Sequence, residues 1–335
     1  MTTQKGRIEM IINLKKVHGS SNDFYIIDEN GLETPLTEES RRQLALNLCD
    51  REHDLGGADG ILYVSDSEVA LAKMRVINSD GSEASMCGNG LRTVARYLAE
   101  KADKKQFKVE TMKAVLNVAE DKPLAQGVPT YCVEISPVSF EKESLPLNWT
   151  ASQLIDAEVP AFSETLTYSA VSVPNPHLIS FVEPADFAEQ EQLSTWLNSD
   201  NPYFPDGVNV SYVQAIDSDT IFVKTFERGV GFTNACGTAM SASSLMARLL
   251  NGGEMTKKVD VYNPGGRVQC QVYQKDEGYT IDLIGNATFS FDAKIVISED
   301  FKKSTVIEQV KTDEEIAYQK MAAEAARFVA EHQHA

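Results

Sequence analysis

Two cysteines, each followed at once by glycine, stand in matching surroundings. Cys87 ends the run Asn78-Ser79-Asp80-Gly81-Ser82-Glu83-Ala84-Ser85-Met86-Cys87-Gly88-Asn89-Gly90-Leu91-Arg92, and Cys236 lies in Glu227-Arg228-Gly229-Val230-Gly231-Phe232-Thr233-Asn234-Ala235-Cys236-Gly237-Thr238-Ala239. Each follows an apolar run that reads as a strand (Val69–Ile77 and Ile221–Glu227) and precedes a helical pattern (91–102 and Met240–Leu250). A thiol at a loop-to-helix junction faces unpaired N–H groups and the positive end of a helix dipole. That setting favours thiolate and binds anions.

Two such junctions, 149 residues apart, suggest one site with a thiol on each side. The chemistry that fits is cofactor-free inversion at a carbon α to a carboxylate. One thiolate takes the α-proton and the opposite thiol donates a proton to the other face. The charge that develops on the carboxylate needs fixed donors. The backbone N–H groups near Gly88, Asn89, Gly237 and Thr238 are the candidates, with glycine letting a substrate approach the backbone closely. Two alternatives compete with this reading: buried small residues that precede helices by chance, and a dithiol redox pair. Absence of a CxxC and of a thioredoxin-like βαβ pattern argues against the second.

The elements that must position the thiols are mostly strands. Asn13–Val17 and Phe24–Asp28 flank the turn His18–Asp23, and residues 1–12 read as a loose extension. Thr37 caps a helix, Glu38–Cys49, with Leu44, Ala45 and Leu48 on its apolar face. Arg51–Gly60, with charges and three glycines, is a surface loop or one rim of a site. Further strands follow to Ile135, and Ser136–Pro160 lacks periodicity and marks a boundary. Asn175 is fixed between two prolines, and Asp186–Ser199 reads as a helix. Because strand, Gly-bearing loop, Cys-Gly and helix occur twice, two similar domains are expected, 13–135 and 136–288. A last strand near 289–297 can return to the first. The tail 299–335, acidic and free of Gly and Pro, carries Ala317, Met321, Ala325 and Phe328 at helical spacing. It predicts an appended amphipathic helix that packs on the body or on a partner chain.

The 335 residues are 42% hydrophobic and 24% charged, enough for two cores. A net charge of −18 argues against nucleic-acid binding, which needs a basic footprint. No apolar run approaches the roughly 20 residues of a membrane span. The short run Met10-Ile11-Ile12 after Lys5 and Arg7 is no signal-peptide core, so a cytoplasmic location is expected. Five widely spaced cysteines make no disulfide framework, and no metal-ligand spacing is present, so no metal is expected.

These residues resemble the diaminopimelate epimerase family, marked by HGxGNDF, NxDGSExxxCGNGxR, NPH, a VN after a Pro-containing turn, and ERGxGxTxxCGTG. Here they read His18 through Phe24, Asn78 through Arg92, Asn175-Pro176-His177, Val208-Asn209 and Glu227 through Thr238, in the same order over about 85% of the chain. The resemblance implies an α+β fold of two similar domains. Each is a mixed, mostly antiparallel sheet curled around a central helix, with the active site in the interdomain cleft. It implies a homodimeric epimerase, independent of pyridoxal phosphate or any other cofactor, that interconverts LL- and meso-diaminopimelate for lysine and peptidoglycan synthesis. Cys87 and Cys236 are then the base–acid pair. Asn22, Asn78, Asn175 and Asn209 line the pocket, where amides donate to carboxylate and accept from ammonium without adding charge. Arg228 grips the distal carboxylate and Glu227 pairs the distal ammonium.

The chain departs from the pattern at Ser21 (usually Gly), Phe232 (often Glu), Ala239 (Gly) and Gly60 (Gln in some members). One rival is a proline or hydroxyproline racemase of the same superfamily. Asn89 and the Glu227-Arg228 pair argue against it, because a single-ended substrate needs no distal clamp. The other is a non-catalytic binding protein on the same fold, against which both retained cysteines speak.

Overall fold

The computed structural model describes residues 10–183, 187–276 and 278–332. The first set of elements is β1 (Met10–Gly19), β2 (Asn22–Asp28), α1 (Glu38–Leu48), β3 (Gly60–Ser65), β4 (Ala72–Asn78), β5 (Glu83–Ala84), α2 (Gly88–Ala102), β6 (Gln106–Glu110), β7 (Val115–Asp121) and β8 (Thr130–Ile135). The second is β9 (Ala157–Glu158), β10 (Thr167–Ser172), β11 (Pro176–Phe181), α3 (Phe187–Leu197), β12 (Asn209–Asp217), β13 (Thr220–Glu227), β14 (Gly231–Phe232), α4 (Gly237–Leu250), β15 (Val259–Asn263), β16 (Gly266–Lys275) and β17 (Gly278–Asn286). The chain ends with β18 (Thr288–Ile297), β19 (Ser304–Lys311) and α5 (Glu314–His332).

Strand pairing repeats. β1 is antiparallel to β2, β2 parallel to β3, and β3 antiparallel to β4. β4 then pairs antiparallel with the short β5 and parallel with β6, which is antiparallel to β7. β10, β11, β12, β13, β14, β15 and β16 follow the same sequence of directions. Parallel neighbours need a crossover, and helices supply it: α1 and α2 in the first set, α3 and α4 in the second. The fold is therefore mixed α+β with an internal repeat.

Contacts divide the chain into two compact units, Met1–Tyr131 with Asn286–Tyr318, and Cys132–Gly285 with Gln319–Ala335. In the first, α2 packs on β1, β2, β3, β4 and β7, and Gly88 through Arg96, then Leu98 and Ala99, are buried. A helix buried all round is a central one. In the second, α4 packs on β10 to β13, β15 and β16, with Gly237 through Arg248 buried. Crowding fixes small residues at the start of α2. A Cβ on Gly90 would lie 2.8 Å from Leu62, and one on Gly19 would lie 2.8 Å from the Asn89 carbonyl.

Three expectations change. Residues 10–12 are strand, not loose extension: Met10, Ile11 and Ile12 pair with Ile297, Val296 and Ile295 of β18. The partner lies at the far end of the sequence, so a local reading could not see it; residues 1–9 lie outside those described. The tail is not all helix. Residues 304–311 form β19, antiparallel to β18, as the β-branched residues Thr305, Val306, Ile307 and Val310 permit. Both cysteine-headed helices begin at the glycine after cysteine, three residues earlier than periodicity alone indicates. The helix expected at Asp186–Ser199 is seen over Phe187–Leu197, and Asp186 lies outside the described residues.

The C-terminal helix α5 packs on the chain itself. Its first turn joins the first unit, and in the second unit Phe328 stacks on Tyr262 at 4.4 Å with Ala325 buried beside Phe222. No helix among the described residues is long and apolar enough to cross a membrane.

Candidate active site

Cys87 is the N-cap of α2, with extended φ and ψ of −140° and 111°. Its Sγ accepts the Gly90 N–H at 3.4 Å and donates to Asn22 Oδ1 at 3.6 Å. Asn89 Nδ2 donates to the same amide oxygen at 3.3 Å. Asn22 is in turn fixed by Asp59, whose Oδ2 accepts its Nδ2 at 2.6 Å and the Asp23 N–H at 3.0 Å.

A charge network stands behind that amide. Arg51 spans Asp23 with bonds of 2.8 and 2.9 Å and reaches Asp59 Oδ1 at 2.6 Å. Lys16 donates to Asp23 at 2.5 Å and to the Gly57 carbonyl. Burial pushes the Asp23 carboxyl up, but Arg51 and Lys16 together hold it down at about 2. Asp59 is raised, first by burial and then by the charge of Asp23. The result is a rigid base for Asn22, since reversing its amide would turn an N–H away from a carboxylate.

Cys236 is the N-cap of α4, with φ −113° and ψ 109°. The residue is buried, 7% exposed, and its sulfur lies 3.5 Å from Thr238 Oγ1. Burial drives its thiol well above the usual range. The Glu227 carboxylate, within hydrogen-bonding reach, adds to that, while Thr238 and the Ala239 N–H pull the other way. Glu227 is itself anchored by Thr233 Oγ1 at 2.5 Å.

Thr238 links the thiol to a buried imidazole. His177 Nε2 lies 3.0 Å from both Thr238 Oγ1 and Asn175 Oδ1. The amide oxygen can only accept, so Nε2 carries the proton. Burial, helped by the Arg228 charge, lowers His177 to about 3. It is a neutral donor at ordinary pH.

The structure thus joins Cys87, Asn89 and Asn22 in one hydrogen-bonded group, and Cys236, Thr238, Glu227, His177 and Asn175 in another. Gly88 and Gly237 are the first residues of the two helices, where backbone N–H groups are directed outward. Asn209 Oδ1 accepts the Arg228 N–H at 2.8 Å. Arg228 is exposed and gives Nη1 to the Asp206 carbonyl at 2.8 Å, leaving Nε and Nη2 without a protein acceptor among the described residues. Asn78 donates to Ser82 within its own turn at 3.0 Å.

The Glu227 carboxylate, expected to pair a distal ammonium, lies in the structure against Cys236 and Thr233. Among the departures, Phe232 meets Phe226 edge-on at 5.3 Å with Lys224 over its ring at 4.4 Å. Gly60 sits so close to its neighbour that a Cβ would lie 2.6 Å from the Ile77 carbonyl.

Sequence reasoning placed His177 only within a motif and left Arg51 and Asp59 in a loop of open role. A charged loop that follows a buried helix and leads into a buried strand was the available signal. Asp23 lay in a turn, where its carboxylate read as turn chemistry.

The model of the diaminopimelate epimerase family matches residues 14–126 and 169–290. The chain is 51% identical to the diaminopimelate epimerase of Listeria monocytogenes over 324 residues, 95% of this chain and 98% of that one. It is 50% identical to that of Enterococcus faecalis over 320 residues, 92% and 97% respectively. Among solved structures it is similar to a Bacillus anthracis phenazine biosynthesis protein of the PhzF family, with TM-score 0.62 and 18% identity over 86% of this chain and 99% of that one. A hydroxyproline epimerase from Agrobacterium vitis gives TM-score 0.58 and 11% identity over 86% and 92%. At those identities the likeness is one of fold.

Proposed function

Because the chain belongs to the diaminopimelate epimerase family and is an isomerase of that kind, we propose that it interconverts LL- and meso-diaminopimelate by a two-thiol mechanism. The strongest support is that two topologically matched, buried helices each begin at a cysteine that caps them.

One thiolate takes the α-proton, forming S–H as C–H breaks. The electron pair delocalises into the carboxylate, whose charge meets the backbone N–H groups of Gly88, Asn89, Gly237 and Thr238. The other thiol gives its proton to the opposite face and becomes the thiolate, so one turnover exchanges the two roles. The resting roles follow from the surroundings. The Gly90 N–H directed at Cys87 Sγ supports thiolate there once its proton leaves the Asn22 amide oxygen, whereas burial and Glu227 keep Cys236 protonated. Cys87 is the resting base and Cys236 the resting acid, with Glu227 and the His177–Thr238 pair exchanging hydrogen bonds with the sulfur as its charge changes. Arg228, with two donor nitrogens open, holds the distal carboxylate, and Asn209 sets the backbone from which it projects.

The test is incubation in deuterium oxide with reductant and no added cofactor. Deuterium entering the α-position of diaminopimelate, with both isomers formed, is expected. Folded protein that exchanges nothing overturns the reading, and exchange into proline instead replaces it with a proline racemase.

A further inference from the structure

The turn that presents Asn22 is gripped on its other side by the C-terminal helix. Ser20 and Ser21 close the β1–β2 hairpin with φ of 54° and 63°, a left-handed backbone that costs a residue with a Cβ on the order of 1 kcal/mol. The turn is nevertheless heavily bonded. The Ser20 N–H goes to Asn286 Oδ1 at 2.7 Å, and Ser20 Oγ accepts from Arg92 at 3.2 Å. Ser21 Oγ shares a hydrogen bond of 2.9 Å with the Tyr318 hydroxyl. Tyr318 is 1% exposed and meets His18 edge-on at 4.4 Å. Glu315 Oε2 lies 3.0 Å from His18 Nε2. Glu314 pins the start of the helix through two bonds to Arg96, of 2.5 and 2.6 Å. The next residue after Ser21 is Asn22, whose Oδ1 faces Cys87.

We propose that Tyr318, packed on the His18 ring that Glu315 meets, is a positioning residue for Cys87. Through Ser21 it fixes the hairpin turn, and so the distance and angle at which the Asn22 amide meets the thiol. The C-terminal helix lies beyond residue 290, where the family match ends, and Ser21 occupies a position usually held by glycine in the pattern. The serine hydroxyl and the tyrosine hydroxyl together turn a strained departure into a fastening. This inference rests on the reading of Cys87 as a proton-transfer group.

Two variants of the full chain remove the same bond. Tyr318→Phe keeps the ring on His18 and deletes the hydroxyl. Ser21→Gly deletes the other hydroxyl and suits the left-handed backbone better, so folding is not put at risk. For each, kcat should fall about tenfold with KM within about twofold, since small misplacements at a reacting group are costly. Site-resolved iodoacetamide labelling should show an altered Cys87 rate and an unaltered Cys236 rate. The double variant should be no worse than the poorer single one, because both lose one interaction. Wild-type kcat and Cys87 labelling in both variants overturns the proposal, as do multiplying losses or an equal change at Cys236. If Tyr318→Phe does not fold, Ser21→Gly decides alone. Cys87→Ala separates the two levels: full activity there defeats the role of Cys87, whereas an inactive Cys87→Ala beside normal Tyr318→Phe and Ser21→Gly defeats only the positioning role.

Discussion

The two cysteine-headed helices share a backbone and differ in what surrounds the sulfur. Both cysteines cap in extended conformation, and both helices are buried along their first three turns. Yet Cys87 is half-buried and meets the Asn22 amide and the Gly90 N–H, with Asp59 bonded to Asn22 from behind and Asp23, Arg51 and Lys16 linked to one another there. Cys236 is buried against a carboxylate and a hydroxyl. Duplicated topology supplies two helix-start junctions, and under the proposed mechanism the side chains packed on each decide which one releases a proton readily. Equal dipoles with unequal neighbours would give the proposed reaction two distinguishable ends.

The most drastic break of the comparison is removal of either thiol. Cys87→Ala and Cys236→Ala should each cut epimerisation by about a thousandfold or more, the scale of positioned acid–base catalysis. The residual chemistry should differ. Cys236→Ala keeps the resting base, so it should still exchange the α-proton of one isomer without inverting it, whereas Cys87→Ala should not exchange that isomer. Proton NMR in deuterium oxide reads both, and identical residual behaviour would remove the assigned asymmetry.

Next in size is Glu227→Gln. Deleting the carboxylate lowers the Cys236 pKa, because a like charge no longer opposes thiolate. The pH profile of Cys236 alkylation should move to lower pH while that of Cys87 stays. Turnover should fall about tenfold to a hundredfold, at or below the low end of what a lost acid–base group costs, since Glu227 acts through the sulfur. An unmoved Cys236 profile would falsify the assignment of Glu227 to that sulfur.

A smaller effect separates the junctions by acid. His177 is lowered from 6.5 to about 3, first by burial, so the unfolded chain binds its proton before the folded one does. Its stabilisation is complete above about pH 6.5 and is lost on acidification toward 3, at up to roughly 1.4 kcal/mol per pH unit. His53 is lowered by burial too, and Asp23 adds its own loss only below 3.8. The comparison must therefore be made between wild type and His177→Gln. From pH 6.5 to 4, wild type should lose more of its urea midpoint than the variant. Parallel losses would mean that His177 titrates normally in the folded chain.

Legibility in the sequence followed the same divide. Both thiols, their glycines and the strand–loop–helix repeat could be read because each signal is local. Asn22 could be placed near Cys87 only through family resemblance. What lies behind it could not be placed, since Asp59 and Arg51 act across |i−j| of 36, 37 and 28 residues, and Tyr318 across 297. Glu227 was expected at the substrate's far end, pairing the distal ammonium beside Arg228, through family resemblance. Glu227 is the last residue of its strand and its carboxylate reaches the sulfur, while Arg228 begins the turn that follows and is exposed. The missed strand 304–311 was masked by acidic composition, although its β-branched spacing was visible.

The smallest predicted effect concerns the short hairpins that precede the two thiols. In the first, β4 and β5 pair Val76 with Ala84 and Ile77 with Glu83. Polar contacts tie that hairpin: Arg75 holds Glu83 through bonds of 2.8 and 2.9 Å, and Ser82 N donates to Asp80 at 2.9 Å. In the second, β13 and β14 pair Phe226 with Phe232 and Glu227 with Gly231, and aromatic contact replaces those bonds. Edge-to-face packing is worth about 0.5–1.5 kcal/mol and the half-buried cation–π contact from Lys224 about 0.5–1 kcal/mol. Phe232→Ala should thus cost roughly 1–2 kcal/mol of stability. Because Phe232 braces the strand carrying Glu227 without touching the sulfur, turnover should fall far less than in Glu227→Gln, and the Cys236 alkylation profile should hold its midpoint. A loss of turnover matching that of Glu227→Gln, at unchanged stability, would instead put Phe232 in contact with substrate, and the second hairpin would then be part of the binding surface, not a brace behind it.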